Sequence, residues 1–323
     1  MRLRNQLSNQ NGLTIVEMMI AITIGLLIML TLTHLVLSGK AGYTTQDQIV
    51  GLQETGRYAT DILSRAIRQA GYQDVGRIQV VSSELSANID GYDAMTLKKN
   101  TEGLTSPSSS DVVNGSDVLA VRFFGDGVDG SGAIINCAGL SVPAITSADS
   151  AELDRGWSIF FVAKDSAGEP ELRCKYKTKT GWNADAIARG VESFQVLYGV
   201  DVHGDGAPDQ FMRADAVDAL DSKLALIGDD AIARSVDLNR KTHWKKIRSI
   251  RFALLVRGSQ KARDDALSNE YHLFGADYSR QYASVDKGVQ FNEKTLAVAT
   301  RDHIRKIFTQ TIQLRNDAAG LDA

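Results

Sequence analysis

The stretch NQNGLTIVEMMIAITIGLLIMLTLTHLVL, residues 9–37, carries one carboxylate, Glu17, at the head of an otherwise charge-free apolar run. From Met18 to Gly39 there are 22 residues without Asp, Glu, Lys or Arg. As a helix rising about 1.5 Å per residue they would span about 33 Å, the thickness of a hydrocarbon core of about 30 Å. Before the run lies MRLRNQLSNQNG, with Arg2, Arg4 and no acid; after it the first charge is Lys40. Two arginines and the amino terminus favour a cytoplasmic leader and an extracytoplasmic remainder. A secretory signal peptide would have a shorter apolar core, about 7–15 residues, following directly on its positive charge. The expectation is a retained single-pass anchor, with the amino terminus cytoplasmic and the bulk of the chain extracytoplasmic.

The remainder reads as a β-rich domain behind one long helix. Proline is absent until Pro107, and from Thr44 onward Ile49, Leu52, Ile62, Leu63, Ala66, Ile67 and Ala70 fall close to helical periodicity. A helix over residues 13–70 is therefore predicted, apolar all round in its first half and one-sided in its second, with Gly71 as its stop. Glycines at 39, 42, 51 and 56 should weaken it by roughly 1 kcal/mol each relative to alanine. Beyond residue 71 the period becomes two. Ile250, Phe252, Leu254 and Val256 share one face of IRSIRFALLVRG; Leu172, Cys174 and Tyr176 face inward in ELRCKYK while Arg173, Lys175 and Lys177 face out. Further strands are predicted at 118–124, 157–163, 192–200 and 307–314, joined by polar, turn-rich connections such as 101–117 and 125–132.

Composition excludes several functions. Charge is nearly balanced, 36 basic against 39 acidic residues for a net −3, so nothing suggests a nucleic-acid-binding surface. Two cysteines, Cys137 and Cys174, cannot make a four-thiolate zinc site or an iron–sulfur cluster within this chain. The five histidines form no HExxH pair or repeated zinc spacing, and neither GxSxG nor a P-loop occurs; no enzyme is expected. GDGVDG at 125–130 fits GxGxxG after a strand, but the SGAIINCAG that follows is not a convincing helix, so a loop is expected there.

Two constellations stay open on the residues alone. In DVHGDGAPD, Asp201, Asp205, Gly206 and Asp209 fall at positions 1, 5, 6 and 9 of a calcium loop, but His203 stands at position 3 and Met212 where a bidentate glutamate would close the site. The stretch is either a weakened calcium site or an acidic hairpin turn; no other cofactor is expected. Cys137 and Cys174 would be exported, where an oxidising compartment favours a bridge worth roughly 3–4 kcal/mol, the alternative being two buried thiols.

At this point the residues match a known pattern. A short basic leader, a glycine, a hydrophobic residue and a glutamate five residues into the mature chain make NG/LTIVEMMIAITIGLL resemble the signal of the type IV pilin superfamily. GVESFQVLYGVDVHGDG (190–206), IRSIRFALLVRG (247–258) and RKIFTQTIQLRN (305–316) resemble the large minor pilins of the PilW family. The resemblance implies an α+β pilin fold: a long N-terminal helix packed on an antiparallel sheet with large loop insertions. It divides the chain into a leader (1–12), a membrane and assembly helix (13–38), its amphipathic continuation (39–70) and a periplasmic domain (71–323). It further implies cleavage between Gly12 and Leu13 by a membrane prepilin peptidase and methylation of the new terminus. Leu13 stands where the family most often has phenylalanine, a departure that bears on methylation more than on cleavage. Losing Arg2 and Arg4 with the leader takes the net charge to −5.

For a membrane glutamate the bland reading is a side chain that snorkels to the interface. The resemblance instead implies that Glu17 pairs with the free amino terminus of a neighbouring subunit, offsetting two buried charges. The function expected is a minor pilin that primes type IV pilus assembly and sits at the pilus tip. Its partners would be other minor pilins, the major pilin, a tip adhesin, the prepilin peptidase and the inner-membrane assembly platform. Alternatives are a minor pseudopilin of a type II secretion system, or a membrane-anchored periplasmic enzyme or binding domain.

Overall fold

Helix α1 (Ile15–Arg68) runs 54 residues without a break, close to the predicted span. The computed structural model describes residues 12–74, 80, 84–127, 131–263, 268–296 and 298–316, so the leader up to residue 11 lies outside the described residues. Gly71, at φ +68°, turns the chain out of the helix, and the Asn316 side-chain amide donates to the carbonyls of Arg68 and Ala70 at 3.1 and 3.2 Å. Those carbonyls have no partner of their own at a helix end. The Leu-Arg-Asn end of the RKIFTQTIQLRN block thus closes the helix.

The first half of α1 touches nothing, while Leu52, Ala59, Ile62, Leu63, Ala66, Ile67 and Ala70 are buried in the main core. Ile49, read as part of this stripe, is 39% exposed, because the domain's cover begins nearer Leu52. Gly56 is not a defect: a Cβ there would sit 2.1 Å from the Phe308 ring, which packs on the bare backbone. A Cβ at Gly51, by contrast, would meet nothing within 4 Å. Gly51→Ala should therefore stabilise the protein by about 1 kcal/mol, seen as a higher urea midpoint; an unchanged midpoint would count against an intact helix at that level.

After α1 come β1 (Ile89–Tyr92), β2 (Val118–Phe123), α2 (Ala151–Asp154), β3 (Gly156–Lys164), β4 (Pro170–Thr178) and β5 (Gly181–Arg189). Then follow β6 (Val191–Val200), β7 (Gln210–Met212), α3 (Ala214–Asp221), α4 (Ala231–Lys241) and β8 (Ile247–Lys261). The last elements are β9 (Glu270–His272), α5 (Ala276–Tyr282), β10 (Gln290–Asn292), α6 (Val298–Arg301) and β11 (His303–Gln313). Where the sequence suggested one sheet, the strands divide. One sheet has the order β1-β2-β3-β4-β5, a second has β11-β8-β6-β7, and β9 and β10 form a separate pair, all antiparallel. The switch happens at Gly190. Its φ is +76°, and a Cβ there would lie 2.6 Å from the Arg257 carbonyl, so a side chain would block the passage from β5 into β6. Its N–H donates to Pro170 in the first sheet and its carbonyl accepts from Arg257 in the second.

The core lies where α1 and both sheets meet. Phe123, Phe160, Leu172, Phe194, Tyr198, Phe252 and Leu254 are buried there with the α1 stripe. The five-stranded sheet also buries its other face, with Val118, Ala120, Ile159 and Phe161 under Leu97 and Leu104 of the β1–β2 connection. That cover corrects one expectation. Lys175, read as outward-facing, is fully buried; its Nζ donates to Thr101 Oγ1 at 2.9 Å and Gly103 O at 2.7 Å. Burial pulls its pKa down to about 8.

Near the seam between the sheets three carboxylates take backbone and hydroxyl donors. Asp117 accepts from Ala94 N–H at 3.0 Å and Val196 N–H at 2.8 Å. Asp93 accepts from Ala214 and Asp215 N–H at 2.9 and 2.8 Å, at the start of α3, and Asp286 accepts from the Tyr278 hydroxyl at 2.8 Å. Burial, aided by the charges of Asp215 and Asp286, pushes Asp93 up to about 7 against the pull of its two amides. Its folded pKa is above its unfolded one, so its contribution is full below about pH 4 and is lost as pH rises to about 7. The wild type should therefore lose stability relative to Asp93→Asn across that window. Parallel urea midpoints for the two proteins from about pH 4 to about pH 8 would contradict this.

Candidate functional site: the bare helix and its first turn

Every large apolar side chain from Leu13 to Leu37 is at least 52% exposed. Among the described residues α1 is the one helix long and apolar enough to cross a membrane, and its most apolar window is covered by nothing in the chain. An uncovered apolar surface of this extent marks a membrane or protein contact. Thr23, Thr31 and Thr33 return their hydroxyls to the carbonyls of Ile20, Ile28 and Met29 at 2.8 Å each, so these three donors are matched within the helix in an apolar medium.

Gly12 and Leu13 precede the helix in non-helical, exposed backbone. Thr14 is the N-cap: its hydroxyl oxygen accepts the Glu17 N–H at 3.3 Å, while Glu17 Oε2 accepts the Thr14 N–H and hydroxyl at 3.0 Å each. This is a capping box, two helix-end donors satisfied reciprocally. The signal was present in TIVE, residues 14–17, as T-x-x-E, and the sequence reading passed over it. Glu17 thus has a bonding role inside its own chain, and its carboxylate sits within the first turn beside Leu13, where the helix dipole also favours a negative charge.

The acidic loop joins β6 to β7 as a hairpin, Val200 pairing with Gln210. Asp201, fully buried, takes the N–H groups of Gly204, Asp205 and Gly206 at 2.6, 3.2 and 2.9 Å and Arg248 Nε at 3.1 Å. Burial works to raise its pKa, but the loop amides and Arg248 outweigh it and hold the carboxyl below the usual range. Asp205 accepts from Ala207 N–H at 2.9 Å, and Asp209 from Val202 and His203 N–H at 2.7 and 3.1 Å. The carboxylates are turned on the loop's own backbone instead of toward a common centre. Among the described residues no group of three His, Cys, Asp or Glu side chains could hold a metal ion. In this arrangement the loop is a tight acidic hairpin turn whose carboxylates bond its own amides, Arg248 and the His203 ring.

Cys137 and Cys174 are joined as a disulfide with Cα atoms 5.9 Å apart. Gly125 and Gly127 of the GDGVDG stretch bridge to Ala144 and Pro143; residues 128–130 lie outside the described residues.

Residues 7–33 match the family described as the prokaryotic N-terminal methylation motif, and residues 159–316 match the type IV pilus-assembly protein W family. No curated protein matches the chain significantly. A solved structure of a type IV-like pilin from Thermus thermophilus is similar at 11% identity, over 82% of this chain and 98% of that one, with a TM-score of 0.35. The methylation motif falls on the bare helix and its first turn. The assembly-protein match runs from β3 through β11 and ends on Asn316, the residue that closes α1. From residue 159 to 316, just under half of its length, the chain carries the domain of the type IV pilus-assembly protein W (PilW) family, behind a prepilin-type methylation motif.

Proposed function

We propose that the protein is a minor pilin, cut between Gly12 and Leu13 at the cytoplasmic face of the inner membrane, that primes pilus assembly from a complex at the tip. The observation that carries this is the uncovered helix half from Leu13 to Leu37, with a capped carboxylate in its first turn, beside a domain that buries the rest of the helix. Such a helix is stable in lipid and equally able to leave it for the apolar flank of other helices. The domain is held aside by α1 residues beyond Leu52. Its partners would be other minor pilins, the major pilin, a tip adhesin and the assembly platform. Glu17 would meet a neighbour's amino terminus with the part of its carboxylate that Thr14 leaves open.

Processing and pairing are tested separately. Gly12→Ala should leave a precursor of unchanged mass and cells without surface pili; normal maturation would overturn the cleavage site. Glu17→Gln keeps an acceptor for the Thr14 amide and hydroxyl but removes the charge. It should be processed normally yet stay in the membrane fraction, with pili scarce at the cell surface. Wild-type piliation in that variant would leave Glu17 a helix cap and nothing more. A deletion strain that keeps its pili but fails to secrete enzymes would move the protein to a type II secretion system.

A further inference from the structure

The chain has three tryptophans, and all three line one pair of connected cavities on the flank of the first sheet. A cavity of about 430 Å³ is walled by Trp157, Trp182 and Tyr92; a second, of about 680 Å³, runs on toward Trp244 and α3–α4. The two meet at Asp90, Tyr92 and Arg122, which line both. Trp182 stands edge-on to Trp157 with centroids 5.4 Å apart, and the Arg122 guanidinium lies 4.3 Å over the Trp157 ring. These aromatic rings are thereby fixed in orientation, and Trp157, Trp182 and Tyr92 keep part of their surface open.

The polar groups narrow what would enter. Arg122 gives Nη1 to Ala87 O at 2.6 Å and Nη2 to Asp90 Oδ2 at 3.0 Å, and its Nε is buried away from the groove without a partner among the described residues. Asp218 spends Oδ1 on Trp244 Nε1 at 2.7 Å and has its second oxygen unengaged among the described residues. Glu102, exposed at the mouth, uses neither carboxylate oxygen on the described residues. A phosphate or other polyanion would meet Asp90, Asp218 and Glu102. A strongly cationic peptide would find most of the acids already answered: Asp90 by Arg122, Glu152 by Arg155 at 3.3 Å, and Asp221 by the hydroxyl of Thr242 and the N–H of His243. A purely apolar ligand would strand the open carboxylate oxygens of Glu102 and Asp218.

What remains is a neutral molecule with apolar C–H faces for the rings and hydroxyls for the half-used carboxylates, long enough to cross from Trp182 to Trp244. We propose that this groove binds a neutral oligosaccharide. The sugar faces stack on Trp182 and Tyr92, and Glu102 and Asp218 accept hydroxyls. The site is independent of the assembly role; a protein that failed to pilate could still bind sugar, and the reverse.

The test uses the full chain in a sugar-free zwitterionic detergent, titrated with cellotetraose, chitotetraose, maltotetraose and galactotetraose. Tryptophan emission reports occupancy, and calorimetry reports the Kd. One of these glycans should bind saturably and move the emission. Trp182→Ala and Glu102→Gln should each weaken binding by about tenfold or more, Trp182→Phe should recover most of the loss, and Glu102→Gln and Trp182→Phe should melt like the wild type. Absence of saturable binding by any of the glycans overturns the proposal. So does binding that ignores the variants, or a response to oligolysine alone.

Discussion

Glu192→Ala is expected to cost about 3–5 kcal/mol of folding stability, the penalty for stranding buried charge. Glu192 lies 4% exposed on β6. Its two oxygens hold the Arg305 guanidinium side-on, Oε2 from Nε at 2.6 Å and Oε1 from Nη2 at 3.1 Å, and Arg257 Nε stands 3.4 Å from Oε1. The Arg305 side chain is fully buried, and a second carboxylate, Glu293, reaches its Nη1 at 3.3 Å and also binds Arg263. Deleting Glu192 leaves Arg305 with Glu293 and two carbonyls, and Arg257 with Glu169. For domains of roughly 150–250 residues each kcal/mol moves the melting point by about 2–4 °C, so a drop of roughly 10 °C should appear in a thermal melt. Asp277→Ala removes an exposed ion pair, to Arg280, and should leave the melt unchanged. Equal shifts for the two variants would refute the buried network.

The consequence reaches the membrane helix. Arg305 opens β11, the strand whose Phe308 ring rests on Gly56 and whose neighbour Asn316 closes α1. Loosening the start of β11 should therefore free the domain from the helix before it unfolds either sheet. Proteolysis of Glu192→Ala should cut first between α1 and the domain, and early cleavage inside β3–β4 would argue that the strand is anchored some other way.

The elements the sequence made legible are those whose burial is decided by their own residues. The helix could be read because Met18–Gly39 is apolar all round and Leu52 to Ala70 is apolar on one side. The strands at 118, 157, 171, 192 and 247 could be read because alternate side chains face one core. Strand β11 began at His303, four residues before the predicted start at 307, because HIRK carries charges that only its partners neutralise. Lys175 was misplaced for the same reason: a lysine on an alternating strand looks solvated until a distant loop offers Thr101 and Gly103 as acceptors. The division into two sheets turned on one glycine, Gly190, whose positive φ no periodicity reveals. Helix α4 was missed although Asp230 accepts from Ala233 N–H at 2.7 Å as its N-cap and Arg240 and Lys241 close its last turn, signals that are local and could have been used. In the first turn of α1 the reverse held. The family pattern drew attention to Glu17 as a contact between subunits and away from the plainer fact that Thr14 and Glu17 complete each other.

Replacing both cysteines, Cys137→Ala with Cys174→Ala, is expected to cost roughly 3–4 kcal/mol. The bridge closes 37 residues of chain separation, a loop long enough that most of the effect in the chain-entropy description falls on the unfolded state. The native position suits it without rearrangement: Cys174 is on β4 opposite Phe160, and Cys137 is held by its N–H on Ser158 Oγ at 2.9 Å. Both sulfurs are in the main core, so the bridge pins the β2–α2 connection to the sheet from its inner side. The double variant avoids the free thiol that either single variant would leave to cross-link in an oxidising compartment. Its urea midpoint should match that of the reduced wild type and be indifferent to reductant, while the oxidised wild type lies higher. If the oxidised and reduced wild types coincide, the two sulfurs contribute as packed thiols do and the connection owes its place to Ser158 and the bridges from Gly125 and Gly127 instead. Hydrogen exchange separates these cases at the level of single amides. Losing a covalent pin should expose the N–H groups of Val142 and Ala144, which bond to Ile134 and Gly127, well before those of β3 and β4, whereas a purely global loss of stability would speed them all together.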